Sequence, residues 1–150
     1  MSRTTAAYTC AKPSGLLASS PPNDAALAER YLKQLSELPL TIDPLLPDHR
    51  RVVEQLASAM RILTDEPRLA AACTRALLSP DDPVAHVRSR IGAEMHRRVT
   101  AALGTGAWPE VVTTLETIFW GALVQTQTEA LDYETALARL DTMVSLVLTS

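Results

Sequence analysis

An all-α, antiparallel bundle of about six helices is the fold this sequence predicts. Three observations carry that expectation. From Asp24 onward apolar residues return at steps of three and four. No stretch sustains the two-residue alternation of a half-buried strand. Glycine is scarce, five in 150 residues, and breakers fall between the periodic segments instead of within them.

The elements follow in order. The first helix is expected over Asp24–Glu37, with Asp24 as N-cap and Leu27, Tyr31, Leu35 and Leu38 along one face. A proline-rich link runs from Pro39 to Pro47. The second helix starts near Asp48 and ends near Thr64, with Val52, Leu56, Ala59 or Met60, and Leu63 inward. Asp65 is expected to cap a third helix that has Pro67 in its first turn and runs to Leu78. Asp82 is expected to cap a long fourth helix, opened by Pro83 and stopped by Gly104, burying Val84, Val87, Ile91, Met95 and Val99. Trp108-Pro109-Glu110 opens a fifth helix to about Thr128, and Asp132 opens a sixth that ends near Thr149.

At 150 residues the chain suffices for one sizeable core. Two units are expected: residues 1–23, rich in Ser, Thr and Pro, as a flexible tail, and residues 24–150 as the folded domain. A net charge of −3 supplies no basic field for a nucleic-acid backbone. Two cysteines in unlike contexts, Cys10 and Cys73, fit a reducing cytoplasm better than a disulfide framework. The longest apolar run falls short of a membrane span, and no signal peptide is expected.

The last two helices carry a surplus of apolar surface. On the fifth, Val111, Leu115, Ile118 and Ala122 form one stripe, Val112, Phe119 and Leu123 a second, and Trp120 and Val124 widen it. The sixth has Tyr133, Leu137, Leu140, Val144 and Val147 on one face, with Met143, Leu146 and Leu148 outside it. A peripheral helix needs an apolar stripe only about 100° wide. Either both helices are central in a monomer, or a second copy covers them as an intermolecular four-helix bundle; the pattern favours the dimer.

Candidate chemistry is sparse. His86 and His96 lie ten residues apart on one helix, and neither they nor His49 has a partner at metal-ligating spacing. Cys73, in the apolar turn Leu69-Ala70-Ala71-Ala72-Cys73, reads as a buried, unactivated thiol. Glu94 is spaced to pair with Arg90 and Arg98, and Arg88, Arg90, His96, Arg97 and Arg98 read as a solvated face. Ser58 and Ser79 have no nucleophile motif around them. No catalytic residue, metal or cofactor is expected, and a small enzyme using His86 or His96 is the weakest reading. Met60, Met95, Phe119, Trp120 and Leu123 are the bulky, soft residues; they fill the core or line an apolar cavity.

The segment Thr64–Ser79 (TDEPRLAAACTRALLS), then Asp81-Asp82-Pro83-Val84 and Arg88-Ser89-Arg90-Ile91-Gly92, resembles the regulatory domain of TetR-family transcriptional regulators, actinobacterial members in particular. Phe119-Trp120-Gly121-Ala122-Leu123, followed by a final helix started by Asp or Tyr, is similar too. The likeness covers about residues 24–148 and rests on helix order and local phrases, which are less specific than a catalytic signature. It implies a homodimer through the last two helices, with Leu115, Ile118, Ala122, Leu137, Leu140 and Val144 at the interface. It also implies a small apolar ligand among the middle helices, held by Met60, Met95, Phe119, Trp120 and Leu123. A ligand that prefers one arrangement then shifts the dimer between DNA-bound and released states. The alternative is a helical interaction module, homo- or heterodimeric, without a ligand.

The family's helix-turn-helix needs two packed helices ahead of this domain, and only 23 residues precede Asp24. DNA binding by this chain alone is therefore not expected. Ser2, Thr5 and Tyr8 echo, one residue out of step, the family's groove-reading helix; a degenerate remnant and a plain tail both stay open.

Overall fold

Six α-helices and one 3-10 turn follow one another over residues 21–149, the span described by the computed structural model. They are α1 (Pro21–Glu37), α2 (Asp48–Asp65), α3 (Pro67–Leu78), α4 (Asp82–Leu103), α5 (Pro109–Thr128) and α6 (Tyr133–Leu148), with the 3-10 turn Gly104–Gly106 after α4. No strand occurs among the described residues. Ser2, Thr5 and Tyr8 lie outside them.

Proline marks most helix starts, and glycine ends α4. Pro67, Pro83 and Pro109 each sit in the first turn of a helix, where a missing N–H costs nothing and φ is already helical. The same tolerance lets α1 begin at Pro21, three residues before the expected start. Asp24 is thus not an N-cap. It lies inside α1, 6% exposed, and its carboxylate accepts 2.8 and 2.6 Å hydrogen bonds from the Arg75 guanidinium of α3. Two further expected caps are corrected. Asp65 ends α2, and Glu66 stands at the N-cap of α3 without a side-chain capping bond. Asp82 is the first residue of α4, behind Asp81. Gly104 does close α4: its φ of 62° is open to glycine, and its N–H returns to Thr100 O. Asp132 caps α6 as expected, accepting from the Thr135 N–H at 2.8 Å.

α1 packs on α3 and α4, α2 on α4 and α6, and α5 on α3, α4 and α6. The core draws on all six helices, from Tyr31 and Leu35 through Leu56, Met60, Leu63, Leu69, Ile91, Met95, Leu115 and Phe119 to Leu140 and Val144. The Tyr31 hydroxyl is buried with it and donates to Ala59 O at 3.1 Å. No helix among the described residues is long and apolar enough to cross a membrane.

Candidate functional site

The residues expected to hold a ligand sit in the core. Met60, Phe119 and Leu123 are fully buried and Met95 is 1% exposed, all in one continuous cluster, with the part-buried Trp120 packed against it. Phe119 and Trp120 meet edge to face, ring centres 5.1 Å apart at 81°. The described surface grooves are lined by other residues. These five residues are brought together, as packing.

The residues expected at a dimer interface divide. Leu115, Ala122, Leu140 and Val144 are buried within the single chain. They are therefore core positions, because α5 is flanked by α3, α4 and α6, and α6 lies on α2 as well as α5. The expectation that one chain cannot cover these helices fails for those four. Ile118 and Leu137 stay part-exposed. Outward on α5 stand Thr114, Thr117, Gly121, Val124 and Thr128, spaced three and four apart. α5 carries no charged residue from Thr117 to Thr128, and α6 none from Thr142 to Leu148. A half-exposed, charge-free face is unusual on a solvated helix, and depletion of charge is what distinguishes the centre of a protein interface.

The arginine cluster on α4 is not a uniformly solvated face. Arg98 is 1% exposed, the bulkiest of the fully buried side chains. Its Nη2 donates to Leu35 O at 2.7 Å and Leu38 O at 2.6 Å, at the C-terminal end of α1; Nε donates to Glu94 at 2.9 Å and Nη1 to Gln55 Oε1 at 3.3 Å. A cation is favoured where orphan carbonyls close a helix. Arg88 likewise folds back onto Ala76 O and Ser79 O. Arg90 reaches Glu29 of α1 instead of Glu94, and Glu94 takes Arg97 as its second partner. Burial pushes the Glu94 carboxyl upward, but the hydrogen bonds from Arg97 and Arg98 outweigh it and hold the group below its ordinary value.

No group of three His, Cys, Asp or Glu side chains suited to a metal ion occurs among the described residues. His86 and His96 are exposed, and His96 Nδ1 lies 3.4 Å from Glu116. Cys73 is a buried free thiol, 2% exposed. Burial, reinforced by the Asp24 charge, raises its pKa to about 12.

Over 124 residues the chain is 43% identical to the uncharacterized HTH-type transcriptional regulator Mb0790c of Mycobacterium bovis. It matches the proteins MT0791 and Rv0767c of Mycobacterium tuberculosis, which carry the same description, equally well. Its named relatives are HTH-type transcriptional regulators. The matched region is 81% of this chain but 58% of each relative, so the chain spans less than two thirds of their length. No protein-family model and no solved structure matches the chain.

Proposed function

We propose that this chain acts as the regulatory, dimerising part of a helix-turn-helix transcriptional regulator of TetR type. The observation that carries the reading is the 43% identity, over most of the chain, to proteins named as HTH-type transcriptional regulators; the TetR type rests on the resemblance of the phrases Thr64–Ser79 and Asp81–Gly92. The charge-free outward face of α5 and the second half of α6 supports self-association. Ile118, Gly121 and Val124 stand there, and Leu137, in the first half of α6, stays part-exposed, while Leu115, Ala122, Leu140 and Val144 are buried behind them. Light scattering at micromolar concentration is expected to give twice the 16.3 kDa of one chain; a monomer there overturns the dimer.

An apolar effector among Met60, Met95, Phe119, Trp120 and Leu123 belongs to the same proposal. It requires the core among α2, α4 and α5 to open, because those side chains are packed together in one continuous cluster. Their close packing favours a second reading, an interaction module without a ligand. Melting temperature in the presence of apolar compounds separates the two, since a ligand selective for the fold must raise it.

DNA reading is assigned to no residue between 21 and 149. Most arginines there are committed within the chain: Arg30 to Glu66, Arg75 to Asp24, Arg90 to Glu29, Arg97 and Arg98 to Glu94, Arg139 to Glu129, and Arg51 and Arg88 to backbone carbonyls. Phosphate contacts need such charges outward. In a mobility-shift assay with the DNA upstream of its own gene, the 150-residue chain is expected to leave the DNA unshifted.

A further inference from the structure

A groove of about 550 Å³ runs along the outer face of α2. One side is the polar stripe Glu54, Gln55, Ser58 and Arg61, at helical spacing; Leu38, Pro39 and Tyr133 face it from the α1–α2 link and the start of α6. The volume falls in the range of small-molecule sites. It is distinct from the Met60–Phe119 cluster, which lies on the opposite, buried side of α2.

Two polar groups define what the groove can hold. Gln55 is 7% exposed, and its Oε1 faces Arg98. An arginine only donates, so the amide must present oxygen to it and turn Nε2 the other way. That Nε2 donates to no group among the described residues. It is not sealed from solvent either: the buried side-chain polar atom without a partner among them is Thr100 Oγ1. Gln55 therefore offers a fixed, nearly buried donor to the groove it lines. One turn on, the Ser58 hydroxyl donates to Glu54 O at 2.9 Å. Its proton is spent and its oxygen remains an acceptor. Residues three apart on a helix are neighbours, so donor and acceptor stand side by side. At the far end the Arg61 guanidinium lies 3.8 Å from the centre of the Tyr133 ring, and Glu54 places a negative charge on the rim.

We propose that this groove binds a small carboxamide with an apolar body, its carbonyl oxygen accepting from Gln55 Nε2 and its N–H donating to Ser58 Oγ. Leu38, Pro39, Ala57 and Ile62 receive the apolar part. A carboxylate fits less well, because it brings no donor for Ser58 and meets the like charge of Glu54. The same Gln55 amide bears on Arg98, which closes the end of α1, so occupancy is felt at Leu35 and Leu38.

The test is a titration of the 15N-labelled full chain with hexanamide, and in parallel with hexanoate, followed by two-dimensional NMR. Hexanamide is expected to shift the Gln55 side-chain NH2 signals and the Ser58, Ile62 and Tyr133 amides along one saturable curve, with hexanoate at least about tenfold weaker. Gln55→Glu keeps an oxygen toward Arg98 but exchanges the donor for an acceptor, so it is expected to fold and to lose at least about tenfold in hexanamide affinity. Ser58→Phe, a surface change that fills the groove, is expected to abolish the shifts. Absence of saturable shifts, equal binding of hexanoate, or undiminished binding by both variants each overturns the proposal.

Discussion

Arg98 combines a full charge with 1% exposure, and the fold around it is arranged to make that tolerable. Its donors meet Glu94, Gln55 and two carbonyls at the end of α1. Removing one member of such a buried set leaves the others desolvated and unpaired. Arg98→Met is therefore expected to lower unfolding stability by about 3 kcal/mol in urea titrations, and Arg98→Lys should recover little, since an ammonium cannot reproduce the fork. Glu94 adds a pH dependence. Its folded pKa lies below the ordinary value, so its contribution is complete above about pH 4.3 and is lost as pH falls through the lower folded value. The Glu94→Gln variant should melt below the parent at pH 7, with the gap closing on acidification below pH ~4. Cys73 offers a third check. With its pKa raised to about 12 by burial and by Asp24, the thiol is protonated at pH 8 and shielded. In a Cys10→Ser background the native protein should resist a disulfide reagent that labels Cys73 in denaturant, and labelling of native Cys73 at the denatured rate would contradict this packing.

Among the elements, the α5–α6 connection holds the one strained backbone position described. Ala130 has φ of 53°, a conformation that costs a residue with a Cβ about 1 kcal/mol. Glycine removes that cost but adds freedom to the unfolded chain. Ala130→Gly is accordingly expected to be neutral to stabilising by under about 1 kcal/mol in thermal melts, where an ordinary Ala→Gly change in a loop destabilises. Those helix ends were legible in sequence because their signals are local: Pro109 in a first turn, Asp132 three residues before Thr135, and, further back, Gly104 just past the last residue of α4. What sequence could not rank was equally local in appearance. Asp24, Asp65 and Asp82 all read as caps, yet Asp24 is claimed by an arginine on α3 and the other two are displaced by one neighbour. Arg98 is the sharper case. Its spacing from Glu94 was visible, but its burial is decided by Leu35 and Leu38, some sixty residues away in the chain, and no periodicity reports that. The apolar stripes of α5 and α6 told which residues avoid water. They did not tell whether Leu115 and Leu140 would meet their own chain or another.

At the scale of the whole molecule, α5 and α6 still leave a charge-free face after their inner stripes are covered. Gly121 lies at the middle of that face on α5. It is exposed, and a Cβ built there would meet no atom within 4 Å. Its helical backbone accepts any L-residue, and replacing a mid-helix glycine should favour the helix by up to about 1 kcal/mol. Gly121→Arg thus separates folding from association. In an isolated chain the arginine extends into solvent and the fold is kept or strengthened; at a dimer centre it places two unpaired charges and two long side chains where small residues meet. The expected outcome is a monomer by light scattering with unchanged helical circular dichroism, and a melting temperature that no longer rises with protein concentration. Val124→Glu, one turn further along the same face, should act in the same direction. If both variants remain dimeric, the chain associates through another surface, and the charge-free face of α5 serves some other contact.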